Sequence, residues 1–316
     1  MITVQWLYAL AGLMFAAYAL LSALDGGHSK RFGNAAFWGL MALSLLAGDR
    51  LGDFGNGLLV LGLAALAGFG LIGRSAPPTT SDVEREGFAA RHRNRLFLPA
   101  LVIPVTAMAG TLLWMWTPLG ASGFIEAKRE TFVFLGLGVL LALAIIFAWL
   151  RPPAVAPLQE GRRLIDSIGW AAVLPQMLAA LGVLFAAAGV GDVIGGLTRA
   201  AIPEGSVFLT VAVFGIGMAL FTMIMGNAFA AFPVMAAAVG VPLLIAGYGG
   251  DPAVIGAIGM LAGFCGTLMT PMAANFNIVP AALLELKDRN AVIKAQVGTA
   301  LPLLAINILF IWWFAF

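Results

Sequence analysis

The chain has 316 residues, 61% of them hydrophobic and 10% charged, and a mean hydropathy of +1.00. Soluble domains carry about 25% charged residues, so a water-facing globule is excluded. The net charge of +2 with dispersed basic residues leaves no footprint for a nucleic-acid partner, and the single Cys265 excludes a disulfide framework or a cysteine-based metal site.

Apolar runs of about 20 residues cross roughly 30 Å of hydrocarbon. About ten such runs occur, at 3–24, 34–47, 57–72, 96–116, 131–150, 168–190, 207–225, 229–246, 253–269 and 297–316. The second and third are short, and either tilt or extend into the 48–56 connection. Met1 leads directly into the first run with no basic leader, so that run reads as a membrane helix rather than a cleaved signal. In lipid a backbone must satisfy its own hydrogen bonds, which makes the runs helices. They are solidly apolar and lack the ten-residue alternation of a barrel. The expected fold is an all-α polytopic membrane protein with broken or re-entrant helices in its C-terminal half.

Basic residues set the orientation. With the first helix starting outside, the inner connections hold Lys30, Arg31, Arg74, Arg85, Arg91, Arg93, Arg95, Arg151, Arg162, Arg163, Lys287, Arg289 and Lys294. The outer ones hold Arg50, Lys128, Arg129 and Arg199. The positive-inside rule then places loops 73–95 and 151–163 in the cytoplasm. A re-entrant hairpin in the C-terminal half would change the parity there. The proline-rich loop 151–161 divides an N-terminal, scaffold-like bundle, 1–150, from a C-terminal, transport-like bundle, 151–316.

Little chemistry lies in the N-terminal bundle. Asp49 or Asp53 either pairs with Arg50 at a helix end or serves a coupling ion. Loop 73–95 admits a short helix over 81–93, and its arginines read as topology determinants or as contacts to anionic lipid. Residues 162–170 mix charge with apolar side chains, as a helix lying at the interface does.

The C-terminal bundle differs. Pro175 and Gln176 fall inside the sixth run, which predicts a kink there, and Asp192 is placed to cap a short following helix. Residues 207–246 are apolar throughout and long enough for two crossings, so the chain must turn within or near the membrane. Gly226-Asn227 is the place for it, because both residues tolerate left-handed backbone, and Pro233 follows. A second interruption, 266–280, contains Thr267, Thr270, Pro271, Asn275, Asn277 and Pro280 without a charge. It follows Gly256, Gly259, Gly263 and Gly266, whose spacing permits close helix packing. Each interruption is either an ordinary tight connection or backbone left open at membrane depth. Paired interruptions are the sequence pointer to a substrate site in secondary transporters. The candidate solute contacts are Thr222, Gly226, Asn227, Thr267, Thr270, Asn275 and Asn277.

The stretches LPQML (174–178), AGVGD (188–192), GNAFAAFP (226–233) and TPMAANFN (270–277), with Phe32-Gly33-Asn34 and Gly48-Asp49-Arg50, resemble a bacterial membrane family. That family is regarded as one subunit of a 5-oxoproline (pyroglutamate) transporter, encoded with a smaller membrane protein and a pyrrolidone-carboxylate peptidase. The resemblance covers nearly the whole chain. A more distant similarity runs to ion-transporter superfamily permeases, whose Ser-Asn-Thr hairpin tip is replaced here by Gly226-Asn227-Ala228. The resemblance implies a bacterial inner-membrane permease for a small carboxylate, with a smaller partner subunit, elevator-type motion and coupling to Na+ or H+. No cofactor is expected, and a homo-oligomer stays open. Two other classes remain: a non-transporting scaffold subunit, and an intramembrane enzyme. The enzyme is disfavoured because H-E-x-x-H is absent and both histidines, His28 and His92, fall in loops, where they read as solvated.

Overall fold

A computed structural model describes residues 1–77, 79–201 and 205–316. Helices dominate, and the only extended pairing among the described residues is an isolated bridge between Ile2 and Ile125. Among the described residues, seven helices are long and apolar enough to cross a membrane. The chain is an all-α polytopic membrane protein. It forms two units, Met1–Asp166 and Ser167–Phe316, so residues 151–166 group with the N-terminal bundle.

In the first unit, α1 (Gln5–Leu24) is followed by α2 (Arg31–Gly68). A straight helix of 38 residues would measure about 57 Å, nearly twice the hydrocarbon thickness. Gly52 breaks it at φ 61, ψ −178, a conformation open mainly to glycine. The limbs then fold back on each other, because a Cβ on Gly62 would lie 3.3 Å from Leu40 Cδ1. The second and third expected spans are therefore two limbs of one hairpin. Asn56 Nδ2 closes its tip by donating to the carbonyls of Gly48 (2.8 Å) and Gly52 (2.9 Å). At its base the Asn34 amide exchanges two hydrogen bonds with Gly73, at 2.7 and 2.8 Å.

Amphipathic α3 (Asp82–His92) starts in a capping box between Ser81 and Glu84, and α4 (Phe97–Trp116) and α5 (Glu130–Leu150) form a second hairpin. Contacts sort the connections by end. Gln5 donates to Asp49 at 2.6 Å, and Val4 N–H donates to Glu126 at 3.1 Å. These join the N-terminus, the α2 tip and the 117–129 loop. Asp49 thus accepts from Gln5, and among the described residues Arg50 makes no ion pair. At the other end α6 (Ala156–Ile168) lies against loop 73–81: Thr80 donates to Glu160 at 2.9 Å, and Arg85 sits 3.6 Å from the same carboxylate. Loops 73–95 and 151–163 share one end of the unit, as the two crossings between them, α4 and α5, require.

Two buried charges anchor α6. Arg162, 2% exposed, pairs with Asp25 at 2.8 Å and donates to the Leu21 carbonyl at 2.6 Å. Asp166, 3% exposed, accepts from Trp38 Nε1 at 2.6 Å and from the Ser75 hydroxyl. Burial pushes the Asp166 carboxyl up from its ordinary value, against the two hydrogen bonds and the Arg162 charge. Both histidines are half-buried, and His92 packs its ring edge-on against Trp149 at 5.2 Å.

In the second unit the expected single span 168–190 is absent. A short turn, Gly169–Ala172, leads to α7 (Leu174–Ala187) and, beyond Gly189 at φ 67, to α8 (Val190–Ala201). With 14 and 12 residues, these reach about 21 and 18 Å, short of a crossing. Pro175 falls in the first turn of α7, where no intrahelical amide is required, so the interruption comes at Gly189. Asp192 sits in the first turn of α8 rather than at its cap. The outward-facing Arg199 expected from charge concerns a side chain outside the described set. Helix α9 (Val207–Met225) then forms a hairpin with α10 (Ala228–Met235), which widens into a π-type run, Ala236–Ile245. Helices α11 (Pro252–Leu268) and α12 (Ala274–Leu283) follow, and α13 (Ala291–Ala315) closes the unit. Phe214, fully buried on α9, fills the space that Gly259 and Gly240 leave, and Gly266 lies against the Ala219 carbonyl.

Two outcomes check this architecture. Cysteines placed at Arg85 and Val155 are expected to stay unlabelled by an impermeant maleimide on intact cells, while one at Lys128 reacts; labelling at all three would break the sidedness. Asp166→Ala leaves two buried donors without an acceptor, at roughly 1–3 kcal/mol each. Its thermal unfolding in detergent should fall well below that of Asp166→Asn, and equal midpoints would remove Asp166 as an anchor.

Candidate functional site

The two polar interruptions of the second unit line one cavity. Helix α9 ends at Gly226, φ 68, whose amide bonds the Thr222 carbonyl at 2.7 Å. Asn227 is extended, at φ −148, rather than left-handed. It caps α10, with Oδ1 accepting from the Phe229 amide at 2.9 Å. The reversal therefore takes two residues.

The second interruption separates α11 from α12. Asn277 Nδ2 donates to the carbonyls of Thr267 (2.8 Å) and Thr270 (2.7 Å), pairing acceptors that the end of α11 leaves free. The Thr270 hydroxyl donates to the Met223 carbonyl at 2.8 Å, which fixes this break beside the α9–α10 tip. Helix α13 runs antiparallel to α11: Asp251 N–H bonds the Ala315 carbonyl at 3.0 Å, and Asn307 reaches Cys265 at 3.6 Å. The opening part of α13 continues past the end of α11, alongside α12. Both breaks therefore fall partway along a helix of 25 residues, about 38 Å long.

The cavity has a volume of about 190 Å³ and is lined by Gly226, Asn227, Ala228, Phe229, Phe264, Thr267 and residues 272–276. It is smaller than the roughly 300–1,000 Å³ of drug-sized pockets, and no lining side chain is ionisable. Its electrostatics come from backbone. Ala228 opens α10, and Ala274 and Asn275 open α12, whose N-terminus has no side-chain cap. Two helix N-termini thus bring partial positive charge to one small volume, a setting that favours a carboxylate or other anion.

Of the residues singled out from sequence, Gly226, Asn227, Thr267 and Asn275 line the cavity. Thr222, Thr270 and Asn277 are buried and outside its lining. Thr270 and Asn277 brace the break. Three oxygens nevertheless have no hydrogen-bond partner: Thr222 Oγ1, Thr267 Oγ1 and Asn277 Oδ1. Their residues are at most 2% exposed. Sequence reasoning missed the apolar lining, Phe229, Phe264, Met272 and Phe276. Phe229 and Phe264 meet edge-on at 5.6 Å, and in an apolar helix such residues carry no signal that separates them from core.

Residues 5–316 match the family described as "Protein of unknown function (DUF979)", and the chain belongs to it. No curated protein and no solved structure matches the chain.

Asn277→Ala should lower thermal stability by roughly 1–3 kcal/mol, because it strips two carbonyls of their donor. Asn227→Ala should cost about 0.5–2 kcal/mol as a lost cap. Unfolding midpoints equal to wild type would contradict the bracing role of each.

Proposed function

We propose that this DUF979 family member is the solute-carrying membrane subunit of a secondary transporter for a small carboxylate, with 5-oxoproline as its substrate. One observation carries the reading: two helix N-termini and a neutral polar cluster converge on one small cavity partway along the helices of the second unit. 5-Oxoproline is a small monoanion whose lactam both donates and accepts hydrogen bonds. Asn227 and Asn275 match the lactam, and the partial positive charge at the N-termini of α10 and α12 matches the carboxylate. The second unit acts as the moving, elevator-type element, and the first unit serves as scaffold. The protein sits in the bacterial inner membrane and works with a smaller membrane subunit, as the sequence resemblance implies. Because no lining group titrates, Na+ suits the cavity better than H+ as the coupling ion; of the three unpaired oxygens that of Thr267 lines the cavity, while those of Thr222 and Asn277 lie outside its lining.

Proteoliposomes holding both subunits should accumulate labelled 5-oxoproline under a sodium gradient, and weakly or not under a proton gradient alone. Full uptake by the chain alone would remove the partner requirement. Asn275→Ala and Asn227→Ala should each weaken solute binding by roughly 1–3 kcal/mol, about five- to hundred-fold, in a binding assay on folded protein. Unchanged affinity in both would take the asparagines out of the site. No solute-dependent stabilisation under any gradient would favour the scaffold reading.

A further inference from the structure

We propose that the first unit holds one anionic phospholipid, one acyl chain in the groove between α1, α4 and α5 and its phosphate on the arginine turn at 91–95. Helix α1 packs mainly on the α2 hairpin and α4 on α5, which leaves an apolar groove of about 680 Å³ between the pairs. Leu10, Met14, Pro99, Ile103, Leu140 and Leu143 are among its walls. Such a space is not left empty at membrane depth. Its lining would forfeit dispersion contacts, and water would find few polar partners there. At roughly 30 Å³ per small group, the liquid volume of one water, it takes on the order of twenty methylene-sized groups, the bulk of an acyl chain.

What fills the groove is decided by charge at its end. Leu96 lines the groove, and the residues just before it, Arg91 to Arg95, line an adjoining pocket of about 460 Å³. The His92–Trp149 contact at 5.2 Å holds this turn over the end of α5, where Leu150 lines the groove and Arg151 follows. Several other basic residues at this end are engaged: Arg162 with Asp25, Arg163 and Arg85 with Glu160, and Lys30 with the Gly70 carbonyl. Arg91, Arg93, Arg95 and Arg151 are exposed and, among the described residues, pair with no carboxylate. An apolar helix of a partner protein would fill the groove but leave these guanidinium groups unmatched. A zwitterionic lipid brings no net charge. A phosphodiester without a compensating ammonium satisfies both the groove and the arginines, since guanidinium forks fit phosphate oxygens, and basic pockets at the cytoplasmic ends of membrane helices bind such head groups.

The test uses the purified, delipidated full chain in detergent, with phosphatidylglycerol, phosphatidylcholine of the same acyl chains, or inorganic phosphate added. Phosphatidylglycerol should raise the unfolding midpoint above phosphatidylcholine, and inorganic phosphate should do nothing. Arg93→Gln/Arg95→Gln should fold with the wild-type midpoint in phosphatidylcholine and lose the phosphatidylglycerol increment. Native mass spectrometry should show bound phosphatidylglycerol falling several-fold in this variant and in the groove-filling Ala100→Phe. Equal stabilisation by the two lipids, an increment unchanged in the arginine variant, or equal stabilisation by inorganic phosphate would each overturn the proposal. So would displacement of the lipid by the smaller membrane subunit with cross-links into the groove, which would assign the groove to a protein helix.

Discussion

A backbone in hydrocarbon has no water to bond, and every departure from helix must be repaired from within the protein. In this chain the repair falls to asparagine. Asn56 covers two carbonyls at the α2 tip, Asn34 pairs with both polar groups of Gly73, Asn227 covers an amide at the start of α10, and Asn277 covers two carbonyls at the end of α11. The amide side chain is neutral, donates and accepts, and is short enough to reach the backbone beside it. A charged group doing the same work at a helix centre would cost about 2.5–3.5 kcal/mol on insertion scales. The reversals and discontinuities of the fold therefore depend on a few uncharged side chains.

The two units use the same device to different ends. In the first, the Gly52 break is closed on itself and the polar contacts gather at the ends of the helices, where Arg162 and Asp166 tie α6 to α1 and α2. In the second, the repairs are partial. Asn277 spends its donor on α11 and keeps an unpaired oxygen, and the N-terminus of α12 has no side-chain cap.

Much of this was legible in the sequence. Hydrophobic runs marked the membrane class, and the pairing of Gly226-Asn227 with Thr267–Asn277 followed from polar residues lying in apolar surroundings without charge. The Ser81–Glu84 capping box was equally legible as S-x-x-E, and bounds the helix expected over 81–93. Other features were not. The short runs 34–47 and 57–72 were expected to tilt or to extend into the 48–56 connection, and they do extend into it; that the break falls at Gly52 depends on the packing of the limbs and on Asn56 closing the tip. The division of 168–201 into two short helices at Gly189 was hidden because the run stays apolar across the break. That Thr270 and Asn277 brace rather than line the cavity depends on which neighbours their side chains meet, and one-dimensional spacing does not contain that. Nor does it contain the contacts of Arg162 with Asp25 or Asp166 with Trp38, whose partners lie more than a hundred residues apart.

For the carboxylate proposed above, a cavity without an ionisable side chain would set a limit on how the anion is held. A helix N-terminus contributes typically 0.3–1 kcal/mol toward a negative charge, and up to about 2 kcal/mol when partly buried. Two such termini, at α10 and α12, supply at most about 4 kcal/mol by that measure, which corresponds to millimolar affinity before any loss of motional freedom. Hydrogen bonds from Asn227 and Asn275 to the proposed solute would add to this, but a carboxylate taken from water would still lack a full counter-charge. A cation bound beside it would supply one, at the threonine and asparagine oxygens that the fold leaves unpaired. Solute and cation would then each be weak ligands alone and stronger together, and that mutual dependence is the thermodynamic basis of coupled transport.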